Sequence, residues 1–162
     1  MNPHPLAFRD FPPCQLASTQ GVLTLPNDLL GQWLVLFFYP KNNTPGCTQE
    51  AADFARLHPE FLAAGTRVLG ASRDSLKSHH NARTRLDLPF ELISDPDEKL
   101  CQFFDVIKLK QLYGKEYMGI ERSTFLINPQ GDIQHAWRKV KVPGHARTVL
   151  EELNTLRSLT SS

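Results

Sequence analysis

The stretch "WLVLFFYPKNNTPGCTQEAADF", residues 33–54, sets the fold. Its first seven residues are continuously apolar and rich in aromatic and β-branched side chains, which suits a strand buried on both faces of a sheet. Pro40 stops the run and a polar loop follows. Ala51, Phe54, Ala55, His58, Phe61 and Leu62 then recur at helical spacing up to Gly65, a suitable C-terminal stop. Pro59 falls inside this helix, where its ring meets the preceding turn and predicts a kink. The unit is a central strand that feeds a long helix through a loop carrying one cysteine, Cys47.

Working outward, "RVLGAS" (67–72) and "FELIS" (90–94) read as strands on either side of a polar helix, "SLKSHHNARTRL" (75–86). "DPDEKLCQFF" (95–104) predicts a helix with Asp95 as N-cap, Pro96 at the first helical position, Glu98 returning a capping bond, and Leu100, Cys101 and Phe104 facing inward. "KLKQLYGKEYMG" (108–119) reads as a loop shaping access to a site. "STFLIN" and "IQHAWRKV" flank "PQG" as a hairpin, and "GHARTVLEELNTLRSL" (144–159) is a closing helix with Val149, Leu153 and Leu156 on one stripe. The Pro-rich first thirteen residues and the final "TSS" read as loose. Parallel crossovers need helices and a hairpin adds antiparallel strands, so the order predicts an α/β protein with a central mixed sheet flanked by helices. A thioredoxin-like layout satisfies it, as do some flavodoxin-like ones. With 162 residues, 41% of them hydrophobic, one domain over 1–162 is expected.

Eighteen Lys plus Arg against seventeen Asp plus Glu leave a net charge of +1, so the balance points to neither nucleic acid, a membrane surface nor a polyanionic substrate. The start lacks the basic and apolar segments of a secretory leader, and no apolar stretch has membrane-spanning length; a cytoplasmic location is expected. Three cysteines at 14, 47 and 101, with no CxxC, argue against a disulfide framework and a zinc site, and predict reduced thiols and no metal. The six histidines form no ligand set and read as solvated or packed.

Cys47 stands in the first turn of its helix, where unpaired N–H groups and the helix dipole favour the thiolate. Pro45 and Gly46 suit a tight entry that exposes backbone N–H groups, Thr44 adds a hydroxyl, and Pro40 can wall off the sulfur. The alternative for Cys47 is a small buried hydrophobe, which is also the reading of Cys14 and Cys101. Glu50, three residues after Cys47, supports either the helix start or a site around the thiol.

Pro40-x-x-x-Thr44-x-x-Cys47 resembles the active-site pattern of the peroxiredoxins, and "FYPKNNTPGCTQEA" is similar to the peroxiredoxin Q branch, also called bacterioferritin comigratory protein. The likeness continues through "VLGASRDS", "LISDPDEKL", "YMGIERSTFLINPQG" and "GHARTVLEEL", from about residue 5 to residue 157. The resemblance implies a peroxidatic Cys47 whose thiolate becomes a sulfenic acid on hydrogen peroxide or small organic hydroperoxides, with no metal, haem or flavin. Thr44 and the N–H groups of Gly46 and Cys47 would hold the peroxide, Pro40 would shield the sulfur, and Arg122 would stabilise the thiolate and the departing oxygen.

Many members of that branch carry a resolving cysteine five residues on, where this chain has Ala52, and "SLKSHHNARTRL" offers none in the next helix. The resemblance therefore implies a one-cysteine variant reduced by an external thiol such as thioredoxin, glutaredoxin or glutathione, open to overoxidation, and a monomer or weak homodimer. Resolution by Cys101 or Cys14, and a non-catalytic redox sensor, stay open. A disulfide oxidoreductase is disfavoured, because Glu50 stands where CxxC needs its second cysteine.

Overall fold

In the computed structural model, which describes residues 7–160, the chain forms β1 (Cys14–Ser18), β2 (Gly21–Leu25), β3 (Trp33–Phe38), α1 (Pro45–Ala63), β4 (Thr66–Ser72), α2 (Leu76–Leu86) and β5 (Glu91–Ser94). It continues with α3 (Lys99–Phe103), β6 (Ile107–Leu112), β7 (Lys115–Ile120), β8 (Ser123–Ile127), β9 (Ile133–Trp137) and α4 (His145–Thr160). Seven strands make one mixed sheet in the order β2-β1-β5-β4-β3-β8-β9, and β6 with β7 make a separate two-stranded ribbon. β3, β4 and β5 are parallel, while β1 and β8 run antiparallel to their neighbours. The mixed, helix-flanked sheet is the expected thioredoxin-like arrangement.

β3 is buried at every position because its alternate residues feed two different cores. Val35, Phe37 and Tyr39 pack on one face with Phe54, Leu57 and Phe61 of α1 and Val149 and Leu153 of α4. Leu34, Leu36 and Phe38 pack on the other face with Phe8, Phe11, Cys101, Phe104 and Phe125. α1 continues through Pro59 to Ala63, and Gly65 at φ +64° turns the chain into β4. Ser75 caps α2 by accepting a hydrogen bond from the Ser78 N–H at 3.2 Å.

Three expectations need correction. Residues 108–119 are not a loop: β6 and β7 form an antiparallel hairpin around Tyr113 and Gly114, both at positive φ (53° and 77°), as a two-residue turn requires. Tyr in place of Asn or Asp hides the turn signal, and the exposed strands give no clear alternation. The helix after β5 does not start at Asp95; Pro96 and Asp97 form a turn closed by Glu98 N–H to Asp95 O at 3.1 Å, and α3 begins at Lys99. The buried Asp95 carboxylate still caps it from a distance, accepting from the Cys101 N–H at 2.8 Å, whereas Glu98 pairs with Arg73. Finally, the chain is packed from Ala7 onward, with Phe8 and Phe11 buried against Phe104 and Phe103. Residues 1–6 and 161–162 of the segments read as loose lie outside the described residues.

Candidate active site

The C-terminal end of β3 delivers the chain to the site. Tyr39 N–H bonds to Ala71 O at 3.2 Å, Pro40 turns the backbone off the sheet, and the loop to Thr44 leads into α1. Asn42 anchors this loop: its N–H donates to Asp74 Oδ2 at 3.0 Å, its Oδ1 accepts from the Tyr39 hydroxyl at 2.8 Å, and its Nδ2 reaches Ser78 Oγ at 3.0 Å and His79 Nδ1 at 3.1 Å. Ser72 Oγ continues the network, bonded to Asp74 Oδ2 at 2.5 Å and lying 3.3 Å from His79 Nε2. The Asn42 N–H and both side-chain polar atoms thus find partners on Tyr39, α2 or the β4–α2 connection. Burial holds His79 below its ordinary value, against the pull of Asp74, so it sits in the network as a neutral ring.

Thr44 occupies the N-cap position by backbone, since Thr48 N–H makes the first helical bond to Thr44 O at 2.9 Å. Its hydroxyl donates to Lys41 O at 3.0 Å and makes no side-chain cap. Pro45 has no N–H, so the first-turn donors free of the helix ladder are those of Gly46 and Cys47. Cys47 is 5% exposed.

Arg122, in the short connection between β7 and β8, crosses to the helix start. Its Nη2 donates to Cys47 Sγ at 3.3 Å and its Nη1 to Glu50 Oε1 at 2.7 Å. Gly46 makes this approach possible, because a Cβ there would stand 3.2 Å from Arg122 Nη2. The backbone of Arg122 is fixed by the Val140 N–H at 3.0 Å, and that of Glu121 by Val106 O at 2.7 Å. Burial pulls the guanidinium down, but Glu50 and Cys47 outweigh it and keep the group above its ordinary value.

Glu50 lies one turn after Cys47 on the same face of α1 and is 1% exposed. Burial raises it to about 7 despite the Arg122 contact, and its Oε2 has no hydrogen-bond partner among the described residues. His145, at the start of α4, shares a 2.8 Å hydrogen bond between Nε2 and Thr124 Oγ1 and packs edge-on to Phe54. Burial, and then the charge of Arg122, lowers His145 to about 4.

The structure therefore gathers Cys47, Gly46 and Arg122 in direct contact, with Thr44 and Pro40 in the loop that enters the same helix. Sequence reading left Glu50 between two roles, took His79 and His145 only as solvated or packed histidines, and passed over Asn42. The i, i+3 spacing of Cys47 and Glu50 was a usable signal; nothing in the sequence ties Asn42 to His79. Cys14 and Cys101 belong to the core on the opposite face of the sheet from Cys47, and all three thiols are unpaired. Burial, reinforced by the adjacent Asp95, pushes the Cys101 thiol far up and disfavours its thiolate.

Comparison with known proteins gives the family of the chain. A family model described as the AhpC/TSA family matches residues 9–136. The chain is 53% identical over 149 residues to the peroxiredoxin Bcp of Xanthomonas campestris pv. campestris, covering 92% of this chain and 91% of that protein. It is 45% identical over 148 residues to the peroxiredoxin Bcp of Bacillus subtilis, covering 91% and 92%. A solved structure of the Xanthomonas campestris bacterioferritin comigratory protein, a trapped intermediate or ligand complex bearing on its alkyl peroxide reduction activity, superposes with a TM-score of 0.84 at 51% identity, covering 94% of this chain and 95% of that one.

Proposed function

Because the chain belongs to the AhpC/TSA family and is a peroxiredoxin, a thiol peroxidase, we propose that Cys47 is its peroxidatic residue and that it works by a one-cysteine cycle. The observation that carries this reading is the 3.3 Å contact from Arg122 Nη2 to Cys47 Sγ. The Cys47 thiolate attacks one peroxide oxygen, the S–O bond forms as the O–O bond breaks, and the departing oxygen leaves as water or alcohol after taking a proton. Negative charge spreads over sulfur and the departing oxygen, where a fixed guanidinium and the N–H groups of Gly46 and Cys47 lower the barrier without reorganising. The Thr44 hydroxyl, already donating to Lys41 O, offers its lone pairs to the peroxide O–H. Pro40, in the loop between β3 and α1, is assigned the shielding of the sulfur.

Glu50 fixes one edge of the guanidinium so that the other faces Cys47, and acts as a positioning residue. The sulfenic acid is returned to the thiol by an external thiol of the thioredoxin, glutaredoxin or glutathione kind. Support comes from the placement of Cys14 and Cys101, which the sheet separates from Cys47. Three unpaired thiols suit a reducing compartment such as the cytoplasm. The test is steady-state peroxide consumption with each thiol donor: many turnovers that vanish in Cys47→Ser support the enzyme, and a single turnover with every donor would leave only a sensor.

A further inference from the structure

Negative charge in the peroxide step is shared between Cys47 Sγ and the departing oxygen, while the Arg122 guanidinium is divided between the sulfur and the Glu50 carboxylate. A second cation facing the same space would add to the stabilisation. The β6–β7 ribbon holds one, Lys110.

The base of that ribbon is tied to the edge of the sheet that carries the site. β3 and β4 are parallel, with Phe38 beside Ala71, so their C-terminal ends lie together where the loop to Cys47 leaves β3. Arg73, the residue after β4, donates from Nη1 to Met118 O of β7 at 3.3 Å, and Arg122 follows two residues after the end of β7. Lys110 stands opposite Tyr117 in the ribbon, and its aliphatic stem leans across Gly119 toward this base. A Cβ at Gly119 would stand 3.2 Å from Lys110 Cδ and 3.0 Å from the Tyr117 ring, so the glycine gives the stem room to lie flat. The ammonium is thereby carried toward the Glu121 and Arg122 end of the ribbon and away from its tip at Tyr113 and Gly114.

The cations around it have carboxylate partners. Arg122 pairs with Glu50, Arg73 with Glu98 and Lys108 with Asp105, whereas the half-buried Lys110 forms no ion pair and no side-chain hydrogen bond among the described residues. Burial pulls the ammonium below its ordinary value, Arg122 and Arg73 push the same way, and Cys47 and Glu121 oppose them. Holding a part-buried cation beside two others costs free energy, which a negative charge at Cys47 offsets.

Resting on the assignment of Cys47 as the peroxidatic residue, we propose that Lys110 is the second cation of the peroxide step, its ammonium directed past Gly119 to stabilise, alongside Arg122, the charge on Cys47 Sγ and the departing oxygen. It acts through its field, with no hydrogen bond to the sulfur, so its share is smaller than that of Arg122.

The test is stopped-flow formation of the Cys47 sulfenic acid from hydrogen peroxide, a neutral substrate, in the wild type and in Lys110→Met, Lys110→Arg and Lys110→Glu. Lys110→Met keeps an unbranched stem without the charge and is expected to slow the step by about threefold to tenfold, the size of one partly screened charge. Lys110→Glu should slow it further, and Lys110→Arg should keep most of the wild-type rate. The gap between wild type and Lys110→Met should narrow as sodium chloride is raised, because salt screens a field and leaves packing unchanged. Wild-type rates in Lys110→Met and Lys110→Glu overturn the proposal. So does an equal loss in Lys110→Arg that salt does not alter, which marks a packing role. A wild type that forms no sulfenic acid on Cys47 would instead sink the peroxidatic assignment on which the proposal rests.

Discussion

Arg122 and Cys47, 75 residues apart in the chain, meet at 3.3 Å with the guanidinium donating to the sulfur. Gly46 gives the contact room, since a Cβ there would stand 3.2 Å from Arg122 Nη2 and ask it to shift by a few tenths of an ångström. A fixed donor aimed at developing charge is worth about 10²–10³ in rate. Arg122→Ala is therefore expected to slow sulfenic acid formation by about that factor in stopped-flow measurements. Arg122→Lys should recover little, because a point charge cannot bond Glu50 and the sulfur together as the planar fork does. Full activity in the lysine variant would mean that charge alone suffices.

Gly46→Ala offers an independent check on the same geometry. The added methyl stands 3.2 Å from Arg122 Nη2, so the guanidinium must shift by a few tenths of an ångström out of its aligned position. The peroxide step should slow by about tenfold or more, a loss of about 1.4 kcal/mol or more in transition-state stabilisation, with little change in unfolding temperature. Wild-type kinetics in this variant would show that the arginine does not need the close approach.

Glu50 and His145 impose opposite pH dependences on stability. Burial raises Glu50 from 4.5 to about 7, so the native state holds a proton that the unfolded chain gives up, and stability is lost as pH rises through this interval by up to about 3 kcal/mol. His145 is lowered from 6.5 to about 4 by burial and Arg122, so the unfolded chain binds a proton that the native state refuses, and acidification from 6.5 to 4 costs up to about 3 kcal/mol. Relative to the wild type, Glu50→Gln should gain stability as pH rises from 4.5 to 7, and His145→Gln should gain as pH falls from 6.5 to 4. Denaturant unfolding across pH 4 to 8 reads both, and variant curves parallel to the wild type would contradict the assignment.

Asn42 is predicted to hold the loop that leads to Cys47 against α2. Asn42→Ala leaves the Tyr39 and Ser78 hydroxyls without this partner and should cost about 1–3 kcal/mol, the usual loss for an unsatisfied buried polar group. Amide exchange across residues 41–48 should accelerate before that of β3 and β4, and sulfenic acid formation should slow. Unchanged exchange in the loop would place its rigidity elsewhere.

These predictions show what the sequence carried and what it hid. The run 33–39 and the α1 pattern placed the central strand and its helix because burial on both faces leaves a continuous apolar signature. The hairpin around Tyr113 was hidden because its strands lie on the surface, with Tyr113 itself 96% exposed, so no apolar face marked them. Cys47, Thr44 and Pro40 were legible as one local pattern. Arg122 needed family resemblance, because its partner lies across the fold. The Asn42 network and the His145 contact are tertiary facts: each joins side chains from elements that only the sheet brings together.

The most direct test of the central claim is the intact mass of the protein after one equivalent of hydrogen peroxide in the presence of a sulfenic-acid trapping reagent, beside a Cys47→Ser control. The account predicts a single trapped adduct on Cys47, no disulfide, and no adduct in the control. A disulfide from Cys47 to Cys14 or Cys101, or trapping that persists in the control, would contradict it.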